Sequence, residues 1–422
     1  MTQRGGAPVT WRRTLAAALA GALTVGLVAV SVSGPGAAPA RALAPGQECD
    51  PEDPQFVTQA PPAFDALGIP RAHQYSRGAG VTVAVVDSGV HAQNEHLREV
   101  VVDGVNVVED DPHDRDAFEH GTAVAGIIAA RHVDGSAVLG VAPEAMLQSV
   151  RVYYADSERA EEEDVHPKPQ RIADGIAWAA QNGAQIINVS MSTTEDHPDL
   201  RAAVQAASDN GVLVVASTGN RGTAQVQEAV PRYPAAYDGV LGVSGVDRAG
   251  IWHAVASFES EHVDVVAPGQ HVPSAYLFGG DCIFSPGDSA PSSSWATAYV
   301  SGAAALVAAR YPDETPQQWA HRLQATATRA STAERDDRMG WGLIQPVAAL
   351  QFIDDGTAPG PASPVHGPAQ PLPDPAADLD LVAYPDPMAP AQQLTRAWLV
   401  GAAALIVLAL LYSRVPRRPR PR

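Results

Sequence analysis

The sequence predicts an α/β protein with a mainly parallel central sheet covered by helices on both faces, followed by a C-terminal transmembrane helix. Two observations predict the domain. Short apolar runs alternate with helical patterns between about residues 81 and 353, and those runs are continuous in Val and Ile, which is typical of strands buried on both faces. The span is predicted from an uncharged run that begins at 397 and, with Ser413 included, reaches the lower end of what a bilayer requires, about 17 residues.

The individual elements follow from the periodicity of the apolar residues. Strands are predicted at 81–86, 147–152, 186–190, 212–216 and 241–246, and helices at 121–130, 172–181, 200–209 and 294–310. Functional residues of parallel sheets collect at the carboxyl ends of strands. The loops that follow these strands are therefore where chemistry is expected.

Composition and charge exclude several classes of protein. The 422 residues carry 28 Lys+Arg against 47 Asp+Glu, a net charge of −19, whereas binding to nucleic acid requires a basic surface. The sequence has two cysteines, Cys49 and Cys282, too few for a disulfide-rich scaffold or a four-cysteine zinc site. It contains neither the His-Glu-x-x-His motif of zincins nor the Gly-x-Ser-x-Gly motif of α/β-hydrolases.

Targeting signals are predicted at both ends. An arginine pair precedes an uncharged stretch rich in Ala, Leu and Val, and Ala-Arg-Ala follows, which is typical of a cleaved secretory signal peptide at 1–42. An uncleaved signal anchor is the alternative. A Pro-rich linker is predicted at 354–395 and a membrane span at 396–413, and the five arginines of 414–422 predict a cytoplasmic tail. The acidic middle of the chain is then extracytoplasmic.

Three segments place a reactive side chain where a strand or loop meets a helix. Asp87 ends an apolar run and precedes Ser-Gly, His120 opens HGTAVAG, and Ser294 opens SWATAYVSG. Each has an ordinary structural explanation when taken alone, since acids and serines often cap turns and helices. Taken together, the order Asp, His, Ser matches the order of the triad in subtilisin.

These signatures resemble those of the subtilisin-like serine proteases over about residues 81 to 350. The resemblance implies that Ser294 Oγ attacks a peptide carbonyl, that His120 accepts its proton and that Asp87 orients the imidazole. The match at Gly219-Asn220 implies that the Asn220 amide and the Ser294 backbone N–H stabilise the oxyanion. It also implies possible substrate-binding roles for four residues, which are Ser190, Met191, Ser217 and Thr218.

The chain departs from the family pattern around the nucleophile. The family usually has Gly-Thr before the serine and Pro four residues after it, whereas this chain has Ser292, Ser293 and Ala298. Three consecutive serines leave the register open locally, and the Val-x-Gly further along the helix selects Ser294. Loss of the glycine is expected to distort the approach to the serine and to reduce or restrict activity. Gly-Asp-Ser at 287–289 superficially resembles chymotrypsin-like proteases but lacks their following glycine.

The order of segments resembles the mycosins, the membrane-anchored proteases of actinobacterial type VII secretion. It comprises a signal peptide, an extension at 43–78, a peptidase domain at 79–353, a linker and a C-terminal span. The resemblance implies a protease of the cell membrane that associates with the secretion complex and cleaves a limited set of protein or peptide substrates. The alternative is a protease-like scaffold that stabilises the complex with little or no activity.

The extension at 43–78 is too short for an ordinary self-folding prodomain, so it is expected to wrap the catalytic domain as in mycosins. In an oxidising compartment Cys49 and Cys282 could form one disulfide, with two free thiols as the alternative. An acidic run at 156–164 is expected to form a solvated loop. No cofactor and no metal site are predicted, because no aligned loop of oxygen ligands is found.

Overall fold

The computed structural model describes residues 41–42, 49–50, 52–109, 111–224, 226–331, 334–368 and 386–413. The predicted signal peptide lies outside the described residues except for its last two. The middle of the predicted linker and the whole predicted basic tail also lie outside them.

Eleven strands are found among the described residues. They are β1 (Arg41–Ala42), β2 (Gln55–Phe56), β3 (Thr82–Asp87), β4 (Val101–Asn106), β5 (Met146–Arg151), β6 (Ile186–Val189), β7 (Leu213–Ser217), β8 (Val240–Val246), β9 (Val265–Pro268), β10 (Val272–Ala275) and β11 (Asp281–Phe284). Seven of them form one parallel sheet in the order β4-β5-β3-β6-β7-β8-β9. Strands β10 and β11 form a separate antiparallel pair.

Ten helices are found in the same part of the chain. They are α1 (Pro62–Ala66), α2 (Ile69–Ala72), α3 (His120–Ala129), α4 (Glu158–Glu162), α5 (Pro169–Gln181), α6 (Pro198–Asp209), α7 (Ser293–Arg310), α8 (Pro316–Ala325), α9 (Pro346–Gln351) and α10 (Ala389–Ser413). Helices α1 to α6 precede the long helix α7 in the chain.

Both faces of the parallel sheet are covered by helices. One face packs against α5 and α6, where Ile176 and Val204 join a cluster with strand residues such as Val86. The other face packs against α3 and α7, where Ile128 and Val300 join the larger cluster. The predicted α/β class with a mainly parallel sheet is therefore confirmed.

Helix α7 is buried along most of its length because its side chains are small. A Cβ added at Gly302 would lie 2.6 Å from the Cβ of Val141, a distance that real structures do not tolerate. The glycine thus allows α7 to pack closely against the segment that precedes β5. This packing fixes the position of the helix N-terminus, where Ser294 lies.

The predicted strands and helices of the peptidase domain are found within three residues of their expected bounds, but several other elements were missed. Strand β4 carries Asp103-Gly104 in its middle and a register irregularity beside β5, so it has no continuous apolar run. The expectation of a loop at 156–164 was wrong in part, because α4 forms there. Ser157 begins it by accepting a hydrogen bond from the Ala160 N–H, as N-cap serines do.

The extension is joined to the domain by a disulfide between Cys49 and Cys282, with a Cα–Cα distance of 5.6 Å. The predicted disulfide is therefore confirmed, and the alternative of two thiols is excluded. Hydrogen bonds hold the same region in place: the Val57 N–H donates to Asp281 Oδ2 at 2.9 Å, and the Ala137 N–H donates to the Val57 carbonyl at 2.7 Å.

Helix α10 is long and apolar enough to cross a membrane. Within Ala389–Leu411, a window of 18 residues has a mean hydropathy of 2.1, and none of that window is buried against the rest of the chain. A core helix would be buried, so that explanation is excluded. The helix begins before the predicted boundary at 396, because Pro390 lies in the first turn, where proline is tolerated.

Candidate active site

Asp87 occupies the carboxyl end of β3, which lies between β5 and β6 in the sheet. Its side chain is fully buried. The Oδ1 atom accepts a hydrogen bond from the Ser88 N–H at 2.8 Å and another from the Tyr153 hydroxyl at 3.1 Å. These donors hold the buried Asp87 carboxylate in one orientation, at the side of the sheet where the carboxyl ends of the strands lie.

His120 is the first residue of α3, and its Nδ1 lies 2.8 Å from Asp87 Oδ1. Because a carboxylate accepts, Nδ1 carries the proton, which leaves Nε2 as the free acceptor of a neutral ring. The side chain is 18% exposed. Ser88 ties the two elements together, since its Oγ donates to Asp116 Oδ1 at 2.8 Å and accepts from the Gly121 N–H at 3.0 Å.

The electrostatic surroundings favour the protonated form of His120. Burial lowers the pKa of the imidazole, but the charge and hydrogen bond of Asp87 raise it, and Asp116 and Glu119 raise it further. The net result is a pKa above the ordinary value of 6.5. The pair can therefore stabilise an imidazolium, the form that arises when the ring takes a proton from a nucleophile.

Ser294 lies in the first turn of α7 and is 6% exposed. Its hydroxyl donates to the Ser190 carbonyl at 2.9 Å, and the Ser190 hydroxyl donates to the Ser294 carbonyl at 2.9 Å. The Trp295 ring lies 4.8 Å from the His120 ring, which places the start of α7 beside the histidine. Since a hydroxyl has one proton, Ser294 must release the Ser190 carbonyl before it can donate to His120.

Asn220 follows β7 and faces the same helix N-terminus. Its Oδ1 accepts from the Ser293 N–H at 2.7 Å, and its Nδ2 donates to Ser292 Oγ at 3.2 Å. The Ser294 N–H also donates to Ser292 Oγ at 3.2 Å. The two donors predicted for the oxyanion thus converge on one point.

Four residues were predicted to bind substrate, and this role stays a prediction. Ser190 contacts Ser294 as described above, and Met191 is partly buried against the core. Ser217 and Thr218 direct their hydroxyls inward: Ser217 Oγ lies 2.6 Å from Ser293 Oγ, and Thr218 Oγ1 donates to the Val243 carbonyl at 3.1 Å.

Sequence reasoning missed two aromatic residues of this site. Tyr153 lies two residues beyond β5, whose Arg151 pairs in register with Asp87, so the sheet order would have revealed it. Trp295 adjoins Ser294 in the sequence, but its ring contact with His120 requires the three-dimensional structure. Among the described residues, no group of three or more His, Cys, Asp or Glu side chains is arranged to hold a metal ion.

Comparison with known proteins identifies the family of the chain. The model of the Subtilase family matches residues 78–342. Mycosin-1 of Mycobacterium tuberculosis is 35% identical over 335 residues, which cover 70% of this chain and 74% of that protein.

Solved structures extend the likeness to the fold. The MycP3 protease from the type VII (ESX-3) secretion system has a TM-score of 0.61 at 31% identity, covering 74% of this chain and 92% of that one. A chain in the structure of an intact ESX-5 inner membrane complex has a TM-score of 0.61 at 27% identity, covering 88% of this chain and 93% of that one. The predicted subtilisin-like fold is confirmed. The chain belongs to the subtilase family of serine proteases and is a mycosin-like member of it.

Proposed function

We propose that the chain is an active serine endopeptidase of limited specificity, in which Asp87, His120 and Ser294 form the catalytic triad. The observation that carries this proposal is the 2.8 Å contact between His120 Nδ1 and Asp87 Oδ1 beside the N-terminus of the helix that bears Ser294. Membership of the subtilase family supports the same reaction class.

The geometry suggests how each group contributes to peptide hydrolysis. Ser294 Oγ adds to the peptide carbonyl while His120 Nε2 takes its proton, and Asp87 stabilises the resulting imidazolium. The oxyanion accepts hydrogen bonds from Asn220 Nδ2 and the Ser294 N–H. His120 then gives the proton to the leaving amine, and water hydrolyses the acyl-enzyme by the same two steps.

The test is covalent labelling of the folded chain with a fluorophosphonate, which reacts with a serine activated by a neighbouring base. We expect labelling of the wild-type chain and none of Ser294→Ala. Ser289→Ala is a matched control, because its hydroxyl donates to the Pro286 carbonyl in an exposed loop. Labelling that survives Ser294→Ala would contradict the register, and an unlabelled wild type would contradict its activity.

We further propose that α10 anchors the protease in the cell membrane, with the catalytic domain outside the cytoplasm, and that the protein associates with a type VII secretion complex. The likeness to a chain of the ESX-5 inner membrane complex supports this, because it covers 88% of this chain. Proteolysis of intact spheroplasts tests the orientation, since an extracytoplasmic domain is degraded and a cytoplasmic one is protected. Affinity purification from detergent extracts tests the association.

A structural role in the complex is the second candidate, and the position of two hydroxyls favours it. Ser292 Oγ accepts hydrogen bonds from both predicted oxyanion donors, the Asn220 amide and the Ser294 N–H. The Ser294 hydroxyl donates to the Ser190 carbonyl instead of His120. The two roles are separable by comparing Ser294→Ala with deletion of the whole chain. If secretion depends on the chain but persists in Ser294→Ala cells, the scaffold role is favoured.

A further inference from the structure

Ser292 stands where the family usually has glycine, and its side chain lies between the two donors of the oxyanion site. Its Oγ accepts from Asn220 Nδ2 and from the Ser294 N–H, each at 3.2 Å. A hydroxyl oxygen has two acceptor lone pairs. Both donors that would stabilise a reacting carbonyl are thus engaged by one side chain of the enzyme itself.

The orientation of the Asn220 amide is fixed by its other contacts. Backbone N–H groups can only donate, so the atom facing the Ser293 N–H at 2.7 Å must be the carbonyl oxygen Oδ1. The Ser293 hydroxyl also donates to Oδ1 at 2.9 Å. The NH₂ group is therefore directed at Ser292 Oγ, and reversing the amide would break the hydrogen bond from the Ser293 N–H.

The backbone at Ser292 is held by close contacts with Gly269. The Ser292 N–H donates to the Gly269 carbonyl at 2.8 Å. The Ser292 carbonyl oxygen packs so closely on Gly269 that a Cβ added to that glycine would lie only 2.2 Å from it. The Ser292 φ of −104° and ψ of 131° are ordinary extended values, so serine is accommodated without strain. Rotation about χ1 of Ser292 is therefore the motion that opens the site.

We propose that the Ser292 hydroxyl competes with the substrate oxyanion and thereby makes Ser292 a specificity-determining residue. This inference rests on the proposed peptidase function. The donors are released only when Ser292 rotates, and the two hydrogen bonds lost are then replaced by charge-assisted bonds to the oxyanion. A substrate with extended contacts supplies the binding energy for this change, whereas a short peptide does not.

Substitution of Ser292 tests the competition directly. Ser292→Gly removes the hydroxyl while retaining a residue that is acceptable at a helix N-cap, and Ser292→Ala removes it with a Cβ retained. For a short peptide substrate we expect kcat to rise roughly 10-fold in both variants with KM little changed, equivalent to about one neutral hydrogen bond. Ser292→Thr keeps an Oγ and should be no faster than the wild type.

Two further measurements separate competition from a structural effect. A peptidyl aldehyde forms a tetrahedral adduct with Ser294, so its affinity should rise with kcat in Ser292→Gly, whereas ground-state substrate affinity should not. In an Asn220→Ala background the gain from Ser292→Gly should shrink, because one of the contested donors is gone. Thermal melting of each variant reports whether the fold is kept.

The outcomes distinguish this inference from the proposed function. Equal rates and aldehyde affinities for folded wild type, Ser292→Gly and Ser292→Ala would overturn the competition while leaving the peptidase intact. Fluorophosphonate labelling of Ser292→Gly through Ser294, with an unlabelled wild type, would support the competition and favour the scaffold role. Labelling of none of the folded variants would overturn the peptidase and the competition together.

Discussion

Removal of the Tyr153 hydroxyl should shift the pH dependence of catalysis. Burial and the Asp87 carboxylate raise the pKa of Tyr153 well above its ordinary value, so the hydroxyl keeps its proton and donates to Asp87 Oδ1 at 3.1 Å. In Tyr153→Phe the carboxylate loses one of its donors and directs more of its negative charge at His120. The pKa of His120, already above 6.5, should rise further.

The size of the shift follows from the strength of the lost bond. A hydrogen bond to a charged group contributes about 1.5–3 kcal/mol, and if roughly a third of it is felt at the imidazole, the midpoint moves up by about 0.5 pH, since 1.36 kcal/mol corresponds to one pKa unit. Catalysis requires neutral His120 and so increases as pH rises through this pKa. Folding stability has the opposite sign: a raised pKa stabilises the folded state at low pH, and this contribution is lost as pH rises through the folded-state value.

The assay is kcat/KM of a peptide substrate as a function of pH, which reports groups of the free enzyme. The wild type should show an acid limb with a midpoint above 6.5, and Tyr153→Phe a midpoint higher still. Tyr154→Phe is the matched control, because that hydroxyl contacts Asn106 and Asp111 instead of Asp87. Identical profiles for Tyr153→Phe and the wild type, or an equal shift in Tyr154→Phe, would refute the reasoning.

Three other predictions address the oxyanion, the disulfide and the anchor. Asn220→Ala should lower kcat by about 10²–10³, the loss found for the same type of donor in subtilisin, with KM nearly constant; a loss confined to KM would contradict the assignment. Replacing Cys49 and Cys282 with Ser removes a crosslink between residues with a sequence separation of 233. Chemical denaturation should show a free energy of unfolding lower by up to about 5 kcal/mol. An unchanged denaturation midpoint would show that the extension is held by its other contacts. A chain that ends before Ala389 should move from the membrane to the soluble fraction on centrifugation, and retention in the membrane fraction would contradict α10 as the anchor.

The sequence was sufficient to predict five of the seven strands of the central sheet, and to place Asp87 and His120 at the ends of the elements where they lie. Both lie at the ends of long, strongly patterned elements, where periodicity identifies the strand or helix and the motif identifies the residue. Strand β4 was not predictable in the same way, because Asp103 and its neighbouring glycine interrupt the apolar run and edge strands are only half-buried. Its place is decided by pairing with β5, which is a tertiary contact.

The geometry around the serines could not be predicted, because it depends on rotamers and on residues distant in sequence. The local sequence does not show that Ser294 Oγ donates to Ser190, which is 104 residues away. Nor does it show that Tyr153 approaches Asp87 across 66 residues. Family motifs predict which side chains lie close together in the fold. The direction in which each hydroxyl donates depends on which acceptors lie near it in the packed core, and these are distant in sequence.

The three consecutive serines differ in what their hydroxyls contact, and this bears on whether an intact motif means an active enzyme. Ser293 Oγ donates to Asn220 Oδ1, the kind of contact that the threonine usual in the family could also make, so this departure preserves chemistry. Ser292 adds a hydroxyl oxygen that glycine lacks, and that oxygen accepts hydrogen bonds from Asn220 Nδ2 and the Ser294 N–H. The presence of Asp, His, Ser and Asn therefore does not by itself define catalytic power. Under the proposal made above, the free energy of releasing the Ser292 and Ser294 hydroxyls from their present hydrogen bonds decides between a restrained peptidase and a scaffold.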